Sequence, residues 1–127
     1  PTGEGKWPSI AAEDIAAVAV KALTEPGHEE KGYTLTGSES MNAAGYAAVF
    51  SHVLGKSVQF TDVPPEMAKE QMLNSGMPLE YADAVMNLMS VIRAGLSDRV
   101  SNTFEQLMGR KPMTFAEWVS KHRTAFE

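Results

Sequence analysis

The side chains able to do chemistry are few, and they are scattered. Three histidines, His28, His52 and His122, stand far apart. A metal centre needs three or more converging ligands, and His28-Glu29-Glu30 reads as an exposed loop, so no metal ligand is expected. The tyrosines are Tyr33, Tyr46 and Tyr81, and none has a lysine four residues later. A catalytic Tyr-x-x-x-Lys pair is therefore absent. Cysteine is also absent, which excludes thiolate nucleophiles, disulfides and Cys-ligated zinc. Gly3-Glu4-Gly5 opens like a dinucleotide fingerprint, but position 8 is proline and no strand precedes the pair. No serine is placed beside a histidine and an acid by sequence alone. The catalytic residues stay unknown, and no residue is assigned to a cofactor.

Two features remain. Asp14 opens the first predicted helix, where a carboxylate caps free amides or holds a neighbouring loop; direct contact with a substrate or cofactor is the sharper alternative. Eight methionines are present, five of them between positions 67 and 89. Methionine suits irregular cores and adaptable apolar pockets alike. At helical spacing, core packing is the plain reading. The sharper one is a pocket for an apolar or aromatic ligand, with Trp7 and Tyr81 as flat walls. On that reading the substrate-binding set is Trp7, Pro8, Met72, Met77, Tyr81, Met86 and Met89.

Composition limits the partners. The 127 residues fit one domain or part of a larger one. The net charge of −5 and the scattered cations disfavour nucleic acid, which requires clustered Lys and Arg. No apolar run approaches the roughly 18 residues of a membrane helix. The polar start, Pro1-Thr2-Gly3-Glu4-Gly5-Lys6, lacks the order of a signal peptide, and a cytoplasmic location is expected. It also lacks an initiator methionine and reads as the middle of a gene.

These residues must be positioned by short elements punctuated by glycine and proline. Residues 6–10 read as an edge strand or arm, because Pro8 cannot donate to a ladder. Residues 12–23 read as a helix with Ile15, Val18, Ala19, Ala22 and Leu23 on one face. Strands are expected over 32–36 and 57–63, with a helix over 40–54 between them and Gly55 as its C-terminal cap. Helices follow from Pro64-Pro65 to Gly76, over 78–96, and over 102–108. Thr114-Phe115-Ala116-Glu117 forms a capping box that opens the last helix, with Phe115, Trp118, Val119 and Phe126 facing inward. The fold class is α/β, rich in helix, with a few short, mainly parallel strands joined to a helical cap.

Four segments, in this order and spacing, resemble the NmrA-like family of atypical short-chain dehydrogenases/reductases. They are Ile10-Ala11-Ala12-Glu13-Asp14-Ile15-Ala16, Gly32-Tyr33-Thr34-Leu35-Thr36-Gly37-Ser38-Glu39, the helix end Val53-Leu54-Gly55-Lys56 with the strand Val58-Gln59-Phe60, and residues 108–119, which contain Gly109-Arg110-Lys111-Pro112-Met113-Thr114-Phe115. The resemblance implies a Rossmann-type protein that binds NAD(P), with members that reduce quinones and members that bind the dinucleotide without turnover. It implies that residues 1–63 are a strand–helix remnant at the edge of the Rossmann sheet. Residues 64–127 would be a helical, substrate-binding cap, with Trp7 and Pro8 near the cleft. The Gly-rich turn and most of the sheet are not in this sequence. The chain is therefore expected to be a C-terminal portion without its dinucleotide-binding domain, and to bind no cofactor alone. Its expected partners are a small apolar or aromatic substrate and the missing Rossmann half. Self-association through strand 33–36 is expected if the edge is bare. An NAD(P)-sensing regulator and an independent α+β binding module are the alternatives.

Overall fold

The structure is a computed structural model that describes all 127 residues. In chain order it contains β1 (Lys6–Trp7), α1 (Ala12–Thr24), β2 (Met41–Asn42), α2 (Ala43–Leu54), α3 (Pro65–Asn74), α4 (Leu79–Arg93), α5 (Thr103–Met108) and α6 (Phe115–Lys121), and ends in a 3-10 turn at Arg123–Phe126. Local chemistry sets the helix boundaries. The Asn42 side chain accepts from the Gly45 amide at 2.9 Å and starts α2. Gly55, at φ +67°, closes it in the left-handed region. Pro65 stands in the first turn of α3, where its missing N–H costs nothing. The capping box of α6 forms as its spacing predicts, with Thr114 Oγ1 accepting from Glu117 N and Glu117 accepting from Thr114 N. No helix is long and apolar enough to cross a membrane.

The sheet corrects the sequence reading. It is not a mainly parallel sheet. It is one antiparallel pair, β1 with β2, in the register Lys6↔Asn42 and Trp7↔Met41. Residues 32–36 and 57–63 carry no ladder. The reasons are local. Pro8 has no N–H to offer, and the arm at residues 8–10 meets the 32–37 segment through Gly37 N donating to Pro8 O at 3.2 Å. Ser101 N takes the hydroxyl of buried Thr36 as its acceptor at 2.9 Å. At Val58 the Ser51 hydroxyl uses both backbone groups, donating to Val58 O and accepting from Val58 N. A neighbouring strand would need those same Val58 groups.

Two packed units result. In the first, α2 lies on α6 through an aromatic cluster. The Phe115 ring meets Tyr46 edge-on at 4.7 Å and Phe50 at 5.2 Å, and Phe50 meets Phe126 at 5.1 Å. In the second, α3 and α4 form a hairpin with Ala68 and Ala82 buried at its seam and Lys69 paired with Asp83 across it. Only 15 of the 127 residues are buried, so apolar surface is left uncovered in two stripes. On α1 the stripe is Ile15, Ala16, Ala19, Val20 and Leu23, the last 86% exposed. On α4 it is Tyr81, Ala84, Leu88 and Val91. The face read from sequence on α1 is thus split, with Val18 buried against the rest of the chain and Ile15, Ala19 and Leu23 turned outward.

Candidate functional site

The residues assigned to substrate fall in two places. Trp7 is half-buried with its ring 4.9 Å from that of Tyr46. The Tyr46 hydroxyl donates to Trp7 O at 2.6 Å and accepts from Ser9 N at 3.0 Å. That phenol is fully engaged in holding the arm and is no free proton donor. Pro8 is half-buried beside Gly37. The other five lie on the α3–α4 hairpin. Met72, Met77, Met86 and Met89 are half-buried, and the Met77 amide donates to Met72 O, which folds the link between the helices back on α3. Tyr81 stands in the first turn of α4, 69% exposed. The arm that carries Trp7 and Pro8 touches α4 only at its C-terminal end, where Gly5 is pressed against the Ile92 carbonyl, about three turns from Tyr81.

A concave apolar site forms elsewhere. A cavity of about 300 Å³ lies between residues 9–12 on one side and Met113, Thr114, Phe115 and Trp118 on the other. Sequence reading treated Phe115 and Trp118 as core. The signal for a cavity was Ala11-Ala12, two small side chains that the fold sets opposite large rings. Which rings they would face could not be read from one segment.

Acidic residues in the first turn of α1 hold the walls of this cavity together. Asp14 is 1% exposed, and it accepts from Met113 N at 2.6 Å and from Arg110 Nη2 at 2.8 Å. It leaves the amides of its own helix uncapped, since the N-cap residue is Ala11 and no side chain caps there. Of the roles open to it in the sequence, holding a neighbouring loop is the one observed. Glu13 accepts from His122 Nε2 at 2.8 Å and from Lys121 Nζ at 3.2 Å. Its own backbone amide, then His122 and Lys121, hold its pKa down from 4.5 to about 2. A carboxylate depressed in the folded state stabilises it fully above its unfolded value and less as pH falls toward the folded value. The gap in unfolding midpoint between the native chain and Glu13→Gln is therefore expected to close as pH falls from 4.5 to about 2. Urea titrations at several pH values measure it, and a gap unchanged down to pH 2 would refute the ion-pair account.

No three side chains of His, Asp or Glu converge as a metal-binding group. The arrangement offers apolar binding surface and fixed ion pairs.

Comparison with known proteins gives the family of the chain. Residues 1–119 match the model of the NmrA-like family. An NAD(P)H azoreductase from Xenophilus azovorans is 41% identical over 126 residues, which is 99% of this chain and 44% of that protein. The NADPH-dependent quinone oxidoreductase of Escherichia coli superposes with a TM-score of 0.83 at 29% identity, over 96% of this chain and 44% of that one. The Citrobacter sp. triphenylmethane reductase complexed with NADP(H) superposes with a TM-score of 0.80 at 28% identity, over 94% of this chain and 42% of that one. The chain thus spans less than half the length of each. A family match that runs through α1, the capping box of α6 and the segments between them leaves one assignment: the chain belongs to the NmrA-like family.

Proposed function

We propose that residues 1–127 are the acceptor-binding portion of an NAD(P)H-dependent oxidoreductase that reduces a ring-bearing apolar compound such as a quinone. The observation that carries this is the match along nearly the whole chain to proteins that are reductases of azo compounds, quinones and triphenylmethane dyes. The α3–α4 hairpin gives support, with Met77, Met86 and Met89 half-buried along it and Tyr81 exposed in the first turn of α4. Flexible thioethers and an aromatic ring suit acceptors of varied shape. Trp7 and Pro8 stand on the arm whose Gly5 meets the C-terminal end of α4.

The dinucleotide itself does not fit these residues. A pyrophosphate cradle requires a glycine turn between a strand and a helix N-terminus. Gly5 is buried against the Ile92 carbonyl, and Gly3 N donates to Asp62, with β1 and not a helix following. On this proposal the cofactor is held by chain outside residues 1–127, and that half also covers the apolar stripe of α1. The cofactor would supply hydride chemistry. The residues here bind the acceptor, orient it and exclude water.

The test uses the full-length protein, with NADH or NADPH and benzoquinone, and follows loss of reduced nicotinamide. Turnover is expected, and replacing Met86 and Met89 together by Gln should raise KM for the quinone about tenfold through lost apolar contact, with cofactor affinity unchanged. Saturable NADPH binding by residues 1–127 alone would overturn the reading.

A further inference from the structure

We propose that the open edge of residues 57–61 is a docking site for the stretch of chain that leads into Pro1, which adds to it as a β-strand and ties the cofactor-binding half to the α3–α4 hairpin. The inference rests on that part of the functional reading which places further chain before Pro1. It does not depend on the identity of the acceptor.

The edge is built and unpartnered. Residues 57–64 run without helix, turn or bend. In extended chain the N–H and C=O of one residue point to the same side, and those of its two neighbours to the other. Val58 turns its pair toward α2, where Ser51 Oγ donates to Val58 O at 3.0 Å and accepts from Val58 N at 2.9 Å. The backbone groups of Ser57, Gln59 and Thr61 therefore face away from α2. None of them has a hydrogen-bond partner within residues 1–127, and all three residues are exposed. A straight row of such groups is a template for another strand. A strand docked there leaves both Ser51 bonds intact.

The chain before Pro1 arrives at this edge. Gly3 N donates to Asp62 Oδ1 at 3.0 Å. Arg93 Nη1 donates to Pro1 O at 2.6 Å and to Asp62 Oδ2 at 3.2 Å, and Thr2 is buried. Residues 1–3 are thus fixed beside Asp62, the residue next to Thr61. None of these bonds uses the Pro1 nitrogen, so they persist when another residue is joined to it. A segment leading into Pro1 needs no long loop to lie along 57–61. The azoreductase and quinone oxidoreductase matched along nearly the whole chain are each more than twice as long.

Such a strand grips the acceptor hairpin at both ends. Residues 57–64 lead directly into α3 at Pro65, and the end of α4 holds Pro1 through Arg93 and meets Gly5 at the Ile92 carbonyl. The hairpin's position relative to the cofactor half is then set by this joint.

Hydrogen exchange followed by NMR on the full-length protein tests this. The amides of Ser57, Gln59 and Thr61 are expected to exchange about tenfold or more slower than unstructured chain, the protection of one net hydrogen bond, at a rate independent of protein concentration. Gln59→Pro removes a donor from the edge and should return Ser57 and Thr61 to free exchange while Val58, held by Ser51, is unchanged. Gln59→p-benzoylphenylalanine, irradiated, should cross-link to the residues just before Pro1. Circular dichroism confirms that each variant keeps its helices. Free exchange at all three amides of the unsubstituted protein overturns the docking site, as does protection that Gln59→Pro leaves intact. Protection that falls on dilution, with cross-links between two molecules, puts a second copy on the edge and overturns the occupant. Cross-links to any segment that does not lead into Pro1 do the same. Neither readout involves turnover, so failure here leaves the acceptor reading standing, and a protein that reduces no quinone leaves the joint standing.

Discussion

Asp14→Ala is expected to lower the unfolding free energy by about 3 kcal/mol. The carboxylate is 1% exposed and holds two groups nearly a hundred residues away in sequence. The two partners contribute unequally. Arg110 is half exposed, so when the carboxylate is removed its guanidinium regains water, and the loss from that pair is small. The Met113 amide is different. Its bond to Asp14 is the short one at 2.6 Å, and it stands next to buried Pro112. This bond is part-buried, and an N–H stripped of its acceptor there costs about 1–2 kcal/mol, with the space left by the nearly fully buried side chain adding to this. Asp14→Asn, which keeps one acceptor oxygen, should lose about half as much. Urea unfolding of the three chains measures the series. An Asp14→Ala chain within about 0.5 kcal/mol of the native one would mean that the segment at residues 110–114 is held by something other than this carboxylate.

Gly5→Ala is expected to cost about 2–3 kcal/mol, although alanine is the smallest change available. A Cβ on Gly5 would lie 2.0 Å from the Ile92 oxygen, 2.5 Å from its carbonyl carbon and 2.9 Å from Arg93 N. All three are backbone atoms, so no side chain can rotate to make room. Either β1 leaves α4 or the end of α4 moves, which is overpacking at the upper end of its usual range. The effect also reaches the proposed acceptor face, since Gly5 is the joint between the arm bearing Trp7 and the helix bearing Met86 and Met89. In the full-length protein the quinone KM should rise while cofactor affinity holds. A Gly5→Ala chain with an unchanged urea midpoint would show that the contact is looser than its geometry.

The helices were legible in the sequence because their signals are local. The expected spans at 12–23, 40–54, 78–96 and 102–108 lie within a few residues of α1, α2, α4 and α5. Apolar periodicity, Gly55 and the Thr114–Glu117 box each act within a turn or two of chain. Of the strands only β1 was legible, inside the arm expected at residues 6–10; the others were not, for the opposite reason. A run such as Tyr33-Thr34-Leu35-Thr36 has strand character whether or not a neighbour presents free groups. Here Pro8 has none to donate, and Ser51 has taken those of Val58. The pair that does form joins Trp7 to Met41, across 34 positions with no pattern to link them. The cavity was hidden in the same way. Phe115 and Trp118 carried the right inward register, but their neighbour Ala11 is a hundred residues upstream.

Those long spans bear on the order in which the molecule assembles. The α3–α4 hairpin closes through contacts between neighbours in sequence. The Asp14 and Glu13 bridges close loops of 96 to 109 residues. Loop closure over such a distance carries an entropic cost that short-range contacts escape. The hairpin can therefore form early and reopen on its own, whereas α1 and α6 gain or lose their mutual support in a single event. The first and last α-helices are one cooperative unit, despite lying at opposite ends of the sequence.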